Sequence, residues 1–312
     1  MIKLDNRFKL IFAGLTGSHL YGTALPESDR DVRGVFIPSE EFYLGFLEKV
    51  EQVENHEPDE TYWEISKFFK LCLDNNPNIL ELLFIPEQFR LFVTPEWLEI
   101  LSHKDMFLST KAKYTFSGYA LSQLHRIKQH REWLLNPPKK QPERNNFGLP
   151  NANIVHKDQV NAFNELLHSE TPIELSDNAL EILQREKAYI NASKQWQQYQ
   201  DWKTNRNPQR AELEAKYFYD TKHGSHLYRL IGEGIELLTT GNITFPRPNA
   251  EELLAIRKGA YSYQQLMDKL GGDKFDIDSL FSFESKLPHN PDRKNADMLC
   301  RKLIKERLNE SN

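Results

Sequence analysis

The sequence predicts an α+β fold, a small mixed sheet with helices plus a mostly helical C-terminal region, and three observations carry that prediction. Short apolar runs at Lys9–Ala13 and Val32–Ile37 have strand length and end at glycine or proline. From Thr61 the apolar period becomes helical, with Ile65, Phe68, Phe69 and Cys72 at i, i+3, i+4 and i+7. Beyond residue 110 the periodic stretches are helical. These place a sheet-bearing domain at 1–110 and a mostly helical substrate- and nucleotide-binding region at 111–312, with a Pro-rich basic loop at 136–150.

Composition narrows the class. At 312 residues, 39% hydrophobic and 27% charged, the chain can bury a substantial core and form two domains. No apolar run approaches the ~20 residues of a membrane helix, and MIKLDNRFKL lacks a signal-peptide pattern, so a cytoplasmic protein without a membrane partner is expected. Cys72 and Cys300 lie far apart in amphipathic patterns and read as reduced core thiols, not a disulfide framework or a zinc site. The net charge of −5 hides an asymmetry: residues 1–110 carry 19 acids against 10 bases, and residues 111–144 carry eight bases against two acids. Acids in the first part fit a metal site, and the basic stretch fits a polyanion.

The chemistry concentrates in LTGSHLYGTALPESDRDVRGV, residues 15–35. After the KLIFA strand, Gly14 and Gly17 permit a tight turn. If Ser18 opens a helix, its amide and hydroxyl form an anion site. Ten residues later come Asp29 and Asp31, which on a strand would project to one face while Arg30 points away. Two adjacent carboxylates repel unless a cation joins them. A hard divalent ion such as Mg²⁺, shared with substrate phosphates, resolves the repulsion, and phosphate donors opposite a metal suit a nucleoside triphosphate.

Gly-Ser followed after ten residues by Asp-x-Asp resembles the signature of the DNA polymerase β-like nucleotidyltransferase superfamily. The fuller wording GSHLYGTALPESDRDVRGVF resembles its branch associated with RNA repair. The resemblance implies a polymerase-β-like nucleotidyltransferase fold and a third carboxylate that completes the metal cage. DETYWEISKFFKLCLDNNPNILELLF is similar to the family's strand-then-helix wording and selects Asp59 from among Glu54, Glu57, Asp59, Glu60 and Glu64. Asp59 is expected to end a short strand, with Thr61 on its face and Lys67 on the following helix. A glycosyltransferase, which also uses Asp-x-Asp, leaves the upstream Gly-Ser turn unexplained.

Further along, residues 111–135 form an amphipathic helix with Phe116, Ala120, Leu124, Ile127 and Leu134 towards a core. Arg126, His130 and Trp133 share a different face, a composition that can hold nucleic acid. The loop NPPKKQPERNNFGLP excludes regular structure. Its similarity to a Pro-rich, Arg-containing, Gly-Leu-Pro-ending segment of the family makes Arg144 a candidate acceptor contact with Arg126 and His130. Residues 151–215 are polar, with helical periodicity near Leu180–Ile190, and carry no chemical assignment.

KYFYDTKHGSHLYRLIGEGIELLTTG, residues 216–241, predicts a helix capped by Asp220. Lys222, His226 and Arg229 fall at i, i+4 and i+7 and form a candidate phosphate clamp. YDTKHGSHLYRL, ELLTTG, FPRPNAEELLAIRKGAYSY and SKLPHNPDRKNADMLCRKLI resemble the same family in order.

The expected function is metal-dependent transfer of a nucleoside monophosphate from an NTP to a hydroxyl, with release of pyrophosphate. Asp29, Asp31 and Asp59 would hold two Mg²⁺ ions, or Mn²⁺ in their place, and Gly17 and Ser18 would hold the β and γ phosphates. The acceptor is expected to be an RNA 3′ end, such as that of a damaged tRNA. The alternatives are a protein hydroxyl, as in an adenylylating regulator or toxin-antitoxin component, and a nucleotide-binding module without turnover.

Overall fold

The computed structural model describes residues 4–57, 59–152, 155–156, 158–159, 162, 176–206, 208–272 and 277–310, so part of the polar 151–215 stretch, chiefly 163–175, lies outside the described residues. The chain divides into two compact units, one built from 1–128 with 219–312 and the other from 129–218.

The first unit holds a five-stranded mixed sheet in the order β3-β4-β2-β1-β5, with β1 Phe8–Leu15, β2 Val32–Pro38, β3 Gln52–His56, β4 Asp59–Glu64 and β5 Arg90–Val93. β1 runs antiparallel to β2 and β5, β3 and β4 form an antiparallel hairpin, and β2 and β4 are parallel. This is the predicted α+β class, a mixed sheet followed by helices, and it is consistent with the polymerase-β-like fold.

Two expectations about the first strands change. β1 extends through Gly14, so only Gly17 serves the turn, and β2 begins at the expected Val32, so Asp29 and Asp31 lie ahead of the strand instead of on one. Gly14 suits the strand because a β-carbon there would lie 2.7 Å from the Phe12 ring and 2.9 Å from Ile85. Asp59 opens β4 instead of ending it, because the hairpin with β3 closes at His56 opposite Asp59.

Alternation sorts the sheet into two faces. Ala13, Val32, Phe36 and Tyr62 form a buried cluster on one. On the other, Phe12 stacks on Trp97 at 4.0 Å between ring centroids, and Trp97 meets Phe68 of the helix Ile65–Leu73. The Glu64 carboxylate caps that helix, accepting from the Lys67 amide at 3.0 Å. The C-terminal helix Arg293–Glu310 packs on the same helix. Cys72 and Cys300 are free and buried, as expected.

The predicted helix at 216–241 spans Thr221–Thr240, and Asp220 caps it by accepting from the His223 amide at 3.0 Å. Its Gly234 has no room for a side chain, since a β-carbon would lie 2.6 Å from Phe281 and 2.8 Å from Phe116.

The second unit contains the end of the helix Ala112–Leu135, a 3₁₀ turn at Arg144–Phe147, and the helices Asp177–Asn205 and Pro208–Tyr217. Its aromatic core joins His130, Trp133, Tyr199 and Trp202, with successive ring centroids 5.3–6.0 Å apart. Among the described residues no helix is long and apolar enough to cross a membrane.

Candidate active site

Register brings the acids together. β2 and β4 pair in parallel with Val32 opposite Glu60, and one step back along both strands Asp31 stands beside Asp59. Their carboxyls lie within hydrogen-bond reach of one another. Arg33, two residues past Asp31, shares its face. Its guanidinium reaches Asp59 Oδ1 at 3.0 Å and Oδ2 at 3.2 Å and also donates to the Asp59 carbonyl at 3.1 Å.

The two carboxyls respond in opposite directions. Burial first, and then the charge of Asp59, raise the Asp31 pKa above the usual carboxylate range, against the pull of Arg33 and Lys222. Burial also opposes the Asp59 charge, but Arg33 outweighs it and holds that carboxyl below the usual range. Asp31 is therefore a half-buried anion with less positive charge near it than it would accept.

The Gly-Ser turn closes the other side. The Thr16 amide donates to the Asp31 carbonyl at 2.9 Å, and the chain turns at Gly17 with φ +62° into the short helix Gly17–Tyr21. A β-carbon on Gly17 would sit 1.9 Å from Asp31 Oδ2. The acid rests directly on the glycine α-carbon, which couples the phosphate-turn candidate to the metal-ligand candidate. Gly17→Ala should therefore displace the carboxylate and, if the expected nucleotidyl transfer takes place at these acids, lower it roughly 100-fold, the scale of a 1 Å misplacement. It should cost about 1 kcal/mol of stability for the positive φ. Wild-type transfer rates with a normal melting curve would contradict this account of the glycine.

The remaining candidates are distributed unevenly. Asp29 is exposed on the approach to β2. Lys222 is half-buried, and its charge acts on Asp31, so the helix Thr221–Thr240 does bring a cation to the acids. His226, one turn on, is also half-buried.

Arg229 turns inward instead of facing a phosphate: it is 4% exposed and bonded to Glu81 Oε1 at 2.5 Å and Glu233 Oε2 at 2.6 Å. Arg144 is likewise buried, donating through Nε to the Pro150 carbonyl at 2.7 Å and through its fork to Glu186. Arg126 is exposed, and His130 stacks within the aromatic core of its unit.

Three participants escaped the sequence reading. Arg33 carried a signal, since the alternation used for Asp29 and Asp31 extends to residue 33. Tyr21 and Glu81 carried only their places in the quoted motifs, because their connection is tertiary. The Tyr21 hydroxyl donates to Glu81 Oε2 at 2.7 Å.

Residues 1–140 match the family described as RNA repair pathway DNA polymerase beta family. The chain is 28% identical over 127 residues to an uncharacterized 38.9 kDa protein of the nrdC-mobD intergenic region of Enterobacteria phage T4, an alignment covering 37% of this chain and 38% of the relative. It is 32% identical over 80 residues to the uncharacterized protein YcgL of Bacillus subtilis (strain 168), covering 24% of this chain and 30% of that protein. The chain thus spans well under half the length of either relative. No solved structure matches it. The matched segment contains Gly17, Ser18, Asp29, Asp31 and Asp59, so the likeness to the RNA repair pathway DNA polymerase beta family covers the sheet and every candidate acid.

Proposed function

We propose that the protein moves a nucleoside monophosphate from an NTP to a hydroxyl acceptor, an RNA 3′ end, with release of pyrophosphate. The observation that carries this reading is the contact of the Asp31 carboxylate with the Gly17 α-carbon, with Asp59 beside it. The Gly-Ser turn, our candidate phosphate holder, then lies beside a paired set of hard oxygen donors.

The donor set fits a divalent cation. Two carboxyls within reach of each other, one of them with a raised affinity for a proton, mark a place where positive charge is favoured. Asp31 and Asp59 would hold Mg²⁺, with Mn²⁺ as a substitute and Asp29 completing a two-ion set as the family resemblance implies. When bound, such ions neutralise charge developing on the transferring phosphoryl group.

The chain's own groups supply positioning. The backbone at Gly17 and Ser18 would hold the β and γ phosphates, and the Lys222 charge would favour the pyrophosphate as it departs. The acceptor oxygen forms its bond to the α-phosphorus while the bond from that phosphorus to the bridging oxygen breaks. Arg33 keeps Asp59 ionised, so Asp59 is suited to orienting the acceptor hydroxyl and is a weak base for its proton.

RNA as acceptor rests on the family description and on the basic stretch at 111–144, where His125, Arg126 and Lys128 are exposed. We propose that residues 1–110 carry the transfer chemistry and that residues beyond them contribute acceptor contacts. Incubation with each α-labelled NTP, Mg²⁺ and either total RNA or total protein tests the reading. Label should enter RNA and should fall steeply as salt rises. Label entering only protein, or neither fraction, would overturn the RNA acceptor.

A further inference from the structure

The transfer chemistry leaves unused a cluster of buried charges around Arg229. Glu81, Arg229, Glu233 and Arg247 are each at most 6% exposed. Arg229 bridges Glu81 and Glu233, while Arg247 bonds Glu236 Oε2 at 2.5 Å. Buried ion pairs are poor sources of stability, because desolvation offsets most of their attraction, and a hydrophobic replacement commonly serves as well. Their geometry converges on one short segment.

That segment is Ser18–Thr23, the continuation of the Gly-Ser turn. The Arg229 guanidinium lies 4.0 Å from the centroid of the Tyr21 ring, and the Tyr21 hydroxyl donates to the same Glu81 that Arg229 bonds. The Arg247 amide donates to the Tyr21 carbonyl at 3.2 Å, and Arg257 donates to the Thr23 carbonyl at 3.0 Å. Gly22, at φ +76°, admits this docking, since a β-carbon there would lie 3.0 Å from Pro246 and 3.1 Å from Ala250. Thr23 in turn donates its amide to the Ser18 carbonyl at 2.8 Å. A continuous set of bonds thus runs from Arg229, Arg247 and Arg257 to Ser18.

We infer that Tyr21, Glu81 and Arg229 are positioning residues for the NTP phosphates, acting through the Ser18–Thr23 backbone without touching substrate. The inference rests on the nucleotidyl-transfer reading for its meaning, but not for its structural content. It also gives Arg229 a role other than the direct phosphate clamp that the spacing of Lys222, His226 and Arg229 suggests.

Tyr21→Phe is the informative variant, because it removes one hydroxyl and leaves the ring beneath Arg229. Losing a hydrogen bond to a charged group should raise KM for NTP about tenfold. kcat should stay within about twofold, since the same donors serve ground and transition states. Hydrogen exchange of the amides of residues 16–23 should quicken, with the β1–β2 ladder amides unchanged. Arg229→Lys, which keeps the charge but not the fork, should fall between wild type and Arg229→Gln in both readouts. Wild-type KM and wild-type exchange in Tyr21→Phe and Arg229→Lys would overturn the inference, as would an equal loss of protection across the whole sheet. Should the wild-type protein transfer nothing from ATP, GTP, CTP or UTP, the functional reading fails. Exchange at 16–23 then still decides whether the buried network holds the turn.

Discussion

Asp31→Asn is expected to yield a folded protein, more resistant to heat than wild type, that has lost nucleotide transfer. The loss follows if, as proposed, Asp31 holds the metal ion. Metal stabilisation of a transferring phosphoryl group is worth several kcal/mol, which at about 1.4 kcal/mol per tenfold is on the order of 1000-fold in rate. The gain in stability follows from the carboxyl's environment. With its pKa raised by burial and by the Asp59 charge, Asp31 favours the fold only when protonated, and that contribution fades as pH rises through the folded pKa. At neutral pH the ionised group weighs against folding, and asparagine removes that weight. Asp59→Asn should act with the opposite sign on stability. The Asp59 pKa is lowered by Arg33 in spite of burial, so its contribution is intact at neutral pH and is lost only in acid as pH falls through the folded value. Melting curves at pH 4 and pH 7.5 for both variants check this. An Asp31→Asn protein less stable than wild type at pH 7.5, or one that retains transfer, would contradict the charge assignment.

A fragment of residues 1–140, although it contains the whole family match and every candidate metal ligand, is expected to fail to fold cooperatively and to show no transfer. The compact unit that carries the site is completed by 219–312. Truncation strips Leu227, Leu230 and Leu237 from the core, removes the helix that packs on Ile65–Leu73, and leaves Glu81 buried without Arg229. Stranding one member of a buried pair costs about 3–5 kcal/mol, a large part of the roughly 5–15 kcal/mol that stabilises a typical domain. The check is urea unfolding followed by circular dichroism. A sigmoidal transition with native-like midpoint in the fragment would show that the C-terminal segment is dispensable.

The parts of the site that were legible in the sequence are those whose geometry is local. Gly17 and Asp31 belong to one stretch, and alternation alone predicts that acids spaced by two can share a face, although here the strand starts only at Val32. Asp59 was legible through its wording, yet its place beside Asp31 depends on the parallel pairing of β2 with β4, which no local pattern announces. Arg229 shows the opposite difficulty. A helical stripe of Lys222, His226 and Arg229 states which residues neighbour one another, not which neighbour faces inward. The deciding partner, Glu81, lies 148 positions away. The i, i+4 partner Glu233 was the available hint that Arg229 would be paired. Arg144 read as a loop cation because proline-rich sequence excludes regular structure, whereas a buried Glu186 draws it into the interior of its own unit.

The most direct measurement compares NTP labelled at the α phosphorus with NTP labelled at γ, using the intact chain, Mg²⁺ and RNA, with Asp31→Asn alongside. The α label should appear in RNA and the γ label in pyrophosphate in equal amounts, and both signals should vanish in the variant. Transfer of the γ label to RNA, release of free phosphate without α incorporation, or equal activity in Asp31→Asn would contradict nucleotidyl transfer at this site.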